Sequence, residues 1–285
     1  MKIAFWSEEK KAGTTFNMAV VACASVLMYP LSIAVVSGSY HDEDLEKNFL
    51  GNEEELSEEL RQGQEYQELG DFLLAEEPGE YFLTGGLDCL LGKENREELT
   101  EQVIKANMRQ VIENRMYCMP GSRKENREWW YKDRRFMRMD RVMDAVETCF
   151  DVVFVDCGNR KDDLAQKMLR EADVCVLNMD QESELIGDYY RNPPGFRGKT
   201  FFLVGNYFKD ALYTRSNLER IYRVEESVLG AIPYNPQLQA ESQAGRTKGG
   251  VKRYIDRNMK GKNVEFEQEL MRTTRLILKQ AGAIE

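Results

Sequence analysis

The chain has 285 residues, which is enough for one large domain or two small ones. Hydrophobic residues make up 42% of it and charged residues 31%, so both a sizeable core and an ordinary solvated surface are available. The formal net charge of −10 repels nucleic acid and anionic lipid on average, so a role on either needs a local basic patch.

Short apolar runs rich in β-branched residues recur along the chain and predict strands. They lie at 2–6, 31–37, 80–84, 115–119, 152–156, 174–178, 200–206 and 228–233. Most lack apolar–polar alternation, which is typical of strands buried on both faces, and helix-like stretches separate them. The pattern predicts a single α/β domain over residues 1–285, built on an open, mostly parallel, twisted sheet of about seven to eight strands with helices on both faces.

Two apolar segments require a choice between core and membrane. The stretch 16–36 has the hydrophobicity of a signal peptide or a membrane span, but Pro30 interrupts it and a strand-like run precedes it. We predict a buried helix followed by a strand there, and no insertion into a membrane. The segment 262–285 has apolar residues at helical spacing, mixes both charges and lacks tryptophan, so it predicts a closing helix packed on the sheet rather than a membrane-targeting helix.

Cysteine and histidine usage argues against metal and disulfide chemistry. The six cysteines are scattered without a C-x-x-C pair, and His41 is the single histidine. Separated thiols inside apolar runs are typical of reduced cysteines in a cytoplasmic protein. The sequence therefore indicates a cytoplasmic chain and gives no sign of zinc, haem or flavin.

The first predicted strand runs directly into the loop SEEKKAGTT (7–15) and then into the buried helix. A strand, a short loop and a helix N-terminus form an anion site, because free N–H groups and the helix dipole point at the loop. Gly13 and Thr15 fit the end of a phosphate-binding G-K-[ST] loop. On this segment alone an ordinary βα loop is the better explanation, so the rest of the chain has to decide.

Three later segments resemble, in order, conserved parts of the ParA/MinD family of P-loop ATPases (SIMIBI class). They are FDVVFVDCG (150–158), FFLVGN (201–206) and LGAIPYNPQLQAESQAG (229–245), and the resemblance extends over about residues 1–250. It implies that Asp156 lies near the metal and the hydrolytic water. It also implies that Asn206 hydrogen-bonds adenine and that Pro233 and Asn235 lie beside the base.

The resemblance also assigns the loop, as a site for ATP or ADP with Mg²⁺. The nucleotide-binding positions would be Lys10, Lys11, Ala12, Gly13, Thr14 and Thr15. Thr15 and Asp156 would hold Mg²⁺, the latter through water. Asp42, which follows the second strand, is the best candidate for the aspartate that orients the attacking water, and Asp44 is the alternative.

The loop departs from the family pattern K-G-G-x-G-K-T-T in ways that matter for catalysis. Glu9 stands at the signature lysine, Lys10 and Lys11 replace two glycines, and Thr14 replaces the P-loop lysine. We therefore predict a degenerate loop with weak binding of nucleotide and weak or absent hydrolysis. In the alternative, Lys10 or Lys11 supplies the missing positive charge and the chain is an active ATPase of the chromosome-partition or division-site type.

Within the family, proteins of the TadZ/CpaE kind often carry altered loops, and this chain resembles them. That resemblance implies a homodimer that recruits cytoplasmic protein partners to a Tad-type pilus or secretion apparatus, at the membrane or the cell pole. Catalysis would then be secondary to localisation.

One segment, 122–141, interleaves basic residues with Trp129 and Trp130. Such a segment can bind nucleic acid, or can form a docking surface for a partner protein or an acidic membrane. Acidic residues also interrupt it, which is typical of the solvated side of a helix. The acidic balance of the chain argues against nucleic acid, and all three interpretations stay open at this point.

Overall fold

The computed structural model describes residues 1–9, 12–38, 44–50, 85–93, 99–119, 121–122, 135–158, 163–182, 184–256 and 263–285. The predicted strand at 80–84 lies outside these ranges, as do Lys10, Lys11 and Asp42 and most of the segment 122–141.

The described strands form one sheet, and its class is the one the sequence predicts. The strands are β1 (Lys2–Trp6), β2 (Ile33–Ser37), β3 (Arg109–Ile112), β4 (Met116–Met119), β5 (Val152–Asp156), β6 (Val174–Met179), β7 (Thr200–Tyr207) and β8 (Leu229–Pro233). Their order is β3-β4-β2-β5-β1-β6-β7-β8. All neighbours pair in parallel except β3 and β4, which are antiparallel. The prediction of an open, mostly parallel α/β sheet is thus confirmed.

Helices cover both faces of this sheet. Those described are α1 (Thr14–Met28), α2 (Asp44–Leu50), α3 (Gly86–Lys93), α4 (Glu101–Ala106), α5 (Arg135–Cys149), α6 (Asp163–Glu171), α7 (Leu185–Arg191), α8 (Arg215–Tyr222), α9 (Pro236–Gln243), α10 (Thr247–Ile255) and α11 (Asn263–Gln280). Helices α1, α10 and α11 contribute to the core on one face, and α3, α5 and α6 to the core on the other.

The central strands supply both cores at once. In β1, Ile3 and Phe5 lie in the core with α1, whereas Ala4 and Trp6 lie in the opposite core. All four are fully buried. This is why the run shows no apolar–polar alternation: each face of a central parallel strand meets a helix layer.

The apolar stretch 16–36 consists of most of α1 and most of β2, as predicted from Pro30 between them. Ten consecutive residues of α1, from Asn17 to Val26, are buried. In the part of the chain that the structure describes, no helix is both long enough and apolar enough to cross a membrane.

The C-terminal helix α11 covers the edge strand β8. The hydroxyl of Thr273 accepts a hydrogen bond from Ala231 N at 3.0 Å and donates one to Ala231 O at 2.9 Å. A Cβ at Gly230 would lie 2.7 Å from Thr273 Cγ2, so the absence of a side chain there permits the close approach. A side chain thus pairs backbone groups that an open sheet edge would leave free.

Strand β3 is an element that the sequence reasoning missed. Of its four residues, RQVI, only Val111 is buried, and among the described strands it pairs with β4 alone, at the edge of the sheet. The connecting turn holds Asn114 at φ 56°, a left-handed conformation that asparagine tolerates. A short, half-polar edge strand carries too little apolar pattern to be predicted from sequence.

Candidate functional site

The candidate residues gather where parallel strands end. The loop before α1 follows β1, Asp156 ends β5, Asn178 lies near the end of β6, and Asn206 lies near the end of β7. Because β5, β1, β6 and β7 are parallel neighbours, these positions share the carboxyl edge of the sheet. In open α/β sheets, ligands bind in the crevice at this edge.

The loop that enters α1 has the backbone of an anion site. Gly13 is the N-cap of the helix at φ 69° and ψ 26°, in the left-handed region that favours glycine. Glycine has no side chain to cap the first turn, and that turn contains no acidic residue. The N–H groups of the first turn, which includes the half-buried Thr14 and Thr15, are therefore oriented to bind an anion.

A buried amide pair supports this loop from behind. Asn17 Nδ2 donates to Asn178 Oδ1 at 3.1 Å, and Asn178 Nδ2 donates to Trp6 O at 3.3 Å. A Cβ at Gly205 would lie 2.8 Å from Asn17 Nδ2 and 3.1 Å from Ala12 O. Gly205 therefore lets β7 approach the loop closely, and the amides connect α1, β1 and β6.

Sequence reasoning missed Asn17 and Asn178, although a signal exists for both. Each is an asparagine inside an otherwise apolar run, FNMAVVACA and VCVLNM. A buried amide needs hydrogen-bond partners, so two such residues on neighbouring elements point to each other. Val20, one turn further along α1, is fully buried in the core.

Glu9, which the family resemblance assigns to the signature-lysine position, is bonded within its own chain. Its Oε2 accepts a hydrogen bond from Asp180 N at 3.1 Å, and its N donates to Ser7 Oγ at 3.0 Å. Burial raises the pKa of the Asp180 carboxyl, and the negative charge of Glu9 raises it further. The loop after β1 is thus joined to the loop after β6 through a carboxylate.

Asp156 is fully buried at the tip of β5. Its Oδ1 accepts a hydrogen bond from Gly158 N at 2.9 Å, which fixes the turn that follows the strand. In the parallel pairing it stands opposite Ser37 of β2 and Phe5 of β1, so its carboxylate belongs to the same edge as the loop. The described residues contain no group of three or more histidine, cysteine or acidic side chains that could hold a metal ion by itself.

Strand β7 is irregular at Asn206, the residue that is predicted to hydrogen-bond adenine. The pairing of β7 with β8 shifts register between Val204 and Tyr207, and Asn206 there has φ 48°. Val204 and Tyr207 both pack against the core on the α5 and α6 face. Of the two residues between them, Gly205 lies against Asn17 of α1, and the side chain of Asn206 contacts Gln239 of α9. A β-bulge with an asparagine in the left-handed conformation changes the direction in which that side chain leaves the strand. Bulges are frequent beside ligand sites.

Helix α9 fixes the surroundings of Asn206. Gln239 Nε2 donates to Asn206 Oδ1 at 2.8 Å. Pro233 ends β8 and is half-buried. The side chain of Asn235 caps α9 by accepting from Leu238 N at 3.0 Å and donates to the Tyr254 hydroxyl at 2.6 Å. These two bonds show that Asn235 holds the start of α9. The sequence predicts that Asn235 lies beside the base, and this stays a prediction.

The groups at this edge of the sheet are of the kinds that the predicted nucleotide site needs, with one conflict. Backbone N–H groups at α1 fit phosphate oxygens, Thr15 and Asp156 fit the oxygen ligands that Mg²⁺ prefers, and Asn206 fits a base. Glu9 conflicts with phosphate, because it places a carboxylate in the loop that would hold it. The predicted cations of the loop, Lys10 and Lys11, lie outside the described residues.

No protein-family model matches the chain, and comparison with curated proteins gives no significant match. Solved structures do match over nearly the whole length. A ParA family ATPase from Chlorobium tepidum superposes with a TM-score of 0.64 at 11% identity, over 96% of this chain and 97% of that one. MinD in a MinC:MinD cell division complex from Aquifex aeolicus gives 0.63 at 12% identity, over 98% and 96%.

A third structure, the septum site-determining protein MinD complexed with Mg-ADP from Pyrococcus horikoshii, gives a TM-score of 0.61 at 13% identity, over 99% of this chain and 97% of that one. The chain therefore has the fold of the ParA and MinD P-loop ATPases. This confirms the fold that the sequence resemblance implied.

Proposed function

We propose that this chain is a localisation and assembly scaffold that uses a ParA/MinD-like nucleotide-binding fold, with weak or absent ATP hydrolysis. The observation that carries the proposal is the contact between Glu9 and Asp180. A carboxylate stands where a catalytic lysine is expected, and a backbone N–H of the same chain holds it in place.

The charge of Glu9 opposes both binding of triphosphate and catalysis. Two like unit charges about 4 Å apart repel by roughly 4 kcal/mol at an effective dielectric constant of 20. The family's lysine would give attraction of the same size. Loss of one electrostatic contact to a transition state commonly slows catalysis by about a hundred- to a thousand-fold. Weak hydrolysis follows if no other cation compensates.

The rest of the site supports retention of nucleotide. Gly13 keeps the left-handed conformation of a helix-capping loop, Asp156 ends its strand in the buried position, and Asn206 is held in a bulge beside α9. The similarly folded MinD of P. horikoshii was crystallised with Mg-ADP. We infer that ATP and ADP bind here with Mg²⁺, weakly, with Thr15 and Asp156 on the metal side.

The scaffold role rests on the resemblance of the altered loop to those of TadZ/CpaE proteins. A homodimer formed through the side of the chain that carries the loop 7–15 would present two copies of its remaining surface. Cytoplasmic partners of a Tad-type pilus or secretion apparatus would bind there. The similarly folded MinD of A. aeolicus was crystallised with MinC, which is a protein partner. A fluorescently tagged chain should then concentrate at the cell pole or membrane; a uniform cytoplasmic signal would contradict this role.

The loop chemistry is tested with substitutions at one position and a matched control. Glu9→Gln removes the charge but keeps an acceptor for Asp180 N, and Glu9→Lys restores the family's charge. Glu8→Lys changes the net charge as much as Glu9→Lys, one residue away on an exposed side chain. Binding of Mg-ATP and Mg-ADP is measured by calorimetry, and turnover by phosphate release.

We expect weak binding and negligible turnover for the natural chain, tighter Mg-ATP binding in Glu9→Gln, and the largest gain, about ten-fold or more, in Glu9→Lys. Glu8→Lys should change affinity much less. Mg²⁺-dependent turnover by the natural chain that disappears in Lys10→Ala or Lys11→Ala would replace this proposal with the active ATPase. Equal effects of Glu8→Lys and Glu9→Lys would show that the contact to Asp180 has no particular role.

A further inference from the structure

Four consecutive residues, 178–181, lie between the loop before α1 and the loop 208–214, which connects β7 to α8. Asn178 lies in β6 and is fully buried, and Gln181, in the turn that follows the strand, is only 6% exposed. The hydrogen bonds of this segment reach both loops. The segment therefore joins the candidate anion site to a second loop at the surface of the molecule.

The contacts toward the anion site are made by Asn178 and Asp180. The Asn178 amide is bonded to Asn17 at 3.1 Å and to Trp6 O at 3.3 Å, which anchors the end of β6. Asp180 N donates to Glu9 Oε2 at 3.1 Å. Partial burial and the negative charge of Glu9 both raise the pKa of the Asp180 carboxyl, so this contact brings two carboxyl groups that repel one another close together.

The contacts toward the loop 208–214 are made by Gln181. Its Oε1 accepts a hydrogen bond from Phe208 N at 2.8 Å, and its Nε2 donates to Phe208 O at 2.7 Å and to Tyr213 O at 2.8 Å. One side chain thus holds both ends of this loop. The loop carries apolar side chains into solvent, since Phe208 is 52% exposed and Leu212 is 77% exposed.

Adjacent residues make the two sets of contacts, so one set responds to the other. The bond from Asp180 N to Glu9 fixes the backbone of the turn one residue before Gln181. Because Asn178 stays anchored in the sheet, release of Glu9 frees the turn to rotate about the end of β6. Hydrogen bonds weaken steeply as their angles narrow, so a small rotation weakens the three bonds that Gln181 makes to the loop 208–214.

We propose that residues 178–181 couple the loop before α1 to the loop 208–214, so that displacement of Glu9 from Asp180 N loosens the exposed apolar loop. An anion bound at α1 displaces Glu9, because like charges repel. That step rests on the proposed nucleotide binding, whereas the coupling between the two loops does not. By linkage, a protein that binds the loop 208–214 in its present arrangement weakens anion binding, and the anion weakens binding of that protein by the same factor.

Amide hydrogen exchange of the full chain, resolved to single residues by NMR, tests the coupling. Glu9→Ala removes the acceptor of Asp180 N without any ligand. We expect exchange at Asp180 to become about two- to ten-fold faster, which is the range set by the net contribution of one hydrogen bond. Exchange at Phe208 should rise by about two-fold or more, because the bonds of Gln181 weaken. Glu8→Ala, one residue away on an exposed side chain, is the matched control and should change neither rate.

Two further amides show whether the effect is confined to the loop. Ala211 N donates to Phe208 O at 3.3 Å inside the loop, and its exchange should become faster together with that of Phe208. Ala231 N donates to Thr273 Oγ1 at 3.0 Å, where α11 covers the edge of the sheet, and its exchange should stay unchanged. Ala231 thus reports any general loss of stability.

Gln181→Leu breaks the connection and leaves Glu9 in place. The loop 208–214 then exchanges fast from the start. Adding Glu9→Ala should still accelerate exchange at Asp180, but it should cause no further change at Ala211. A further acceleration at Ala211 in the double variant would show that the effect does not pass through Gln181, and would overturn the coupling.

Faster exchange at Asp180 in Glu9→Ala, with unchanged Phe208 and Ala211, would overturn the coupling and leave the proposed nucleotide binding untouched. Equal acceleration at Ala231 would also overturn it, because the whole fold would then have lost stability. Mg-ATP added to the natural chain should accelerate Asp180 and Phe208 as Glu9→Ala does. Mg-ATP that binds in calorimetry without this change would overturn the displacement of Glu9. Absence of binding would contradict the proposed nucleotide binding and leave the coupling seen in Glu9→Ala standing.

Discussion

The hydroxyl of Thr273 predicts a measurable difference between two adjacent threonines of α11. Both Thr273 and Thr274 are fully buried. Thr273 exchanges two hydrogen bonds with the backbone of Ala231, at 3.0 and 2.9 Å. The hydroxyl of Thr274 has no hydrogen-bond partner among the described residues. Substitution by valine keeps the shape of each side chain and removes only the hydroxyl.

Thr273→Val leaves a buried N–H and a buried C=O of Ala231 without partners. Each group left in that state costs about 1–3 kcal/mol, so we expect a loss of about 2–6 kcal/mol in the free energy of unfolding. Thr274→Val removes a hydroxyl that is already buried and unpaired. Since such a group is itself costly to bury, this variant should be neutral or more stable by about 1 kcal/mol.

Urea denaturation of the two variants and the natural chain, followed by circular dichroism, measures both free energies by linear extrapolation. The pair of variants shares helix, burial and chemical change, so the difference between them isolates the two hydrogen bonds to β8. Equal free energies for Thr273→Val and Thr274→Val would refute the account of how α11 covers the sheet edge.

Two further predictions concern packing and thiol reactivity. Gly205→Ala should lower the free energy of unfolding by about 1–3 kcal/mol, because its Cβ would come within 3.1 Å of Ala12 O. Gly249→Ala in α10, whose Cβ would have no atom within 4 Å, should raise the free energy of unfolding by about 0.4–1 kcal/mol. Chemical denaturation of both variants measures these changes, and a neutral Gly205→Ala would contradict the close approach. Burial raises the pKa of the Cys23 thiol to about 12, so this thiol should resist alkylation at pH 8 until the chain unfolds. The stability linked to the neutral thiol should be lost as pH rises from about 9 to 12. Peptide mass spectrometry after timed alkylation measures the labelling of Cys23, and rapid labelling of the folded chain would refute the prediction.

Much of the fold could be predicted because the strands are buried on both faces. Runs such as VVFVD and VCVLN lack alternation and alternate in the chain with helical stretches, which defines a parallel α/β sheet. Their ordered resemblance to one family supplied the candidate residues. Asp156 and Asn206 do stand at the same edge of the sheet, and their roles in binding stay predictions.

The sequence by itself determined the class of sheet, the apolar helix after β1 and the residue types in the loop between them, because each depends on a local pattern. Only the tertiary structure decided what those residues contact. The bond from Asp180 N to Glu9 and the amide pair of Asn17 and Asn178 join residues 171 and 161 positions apart. Such contacts follow from β1 lying between β5 and β6, an order that no local pattern encodes. The bulge at Asn206 likewise depends on how β7 pairs with β8. The hydrogen bond from Gln239 of α9 then holds the Asn206 side chain.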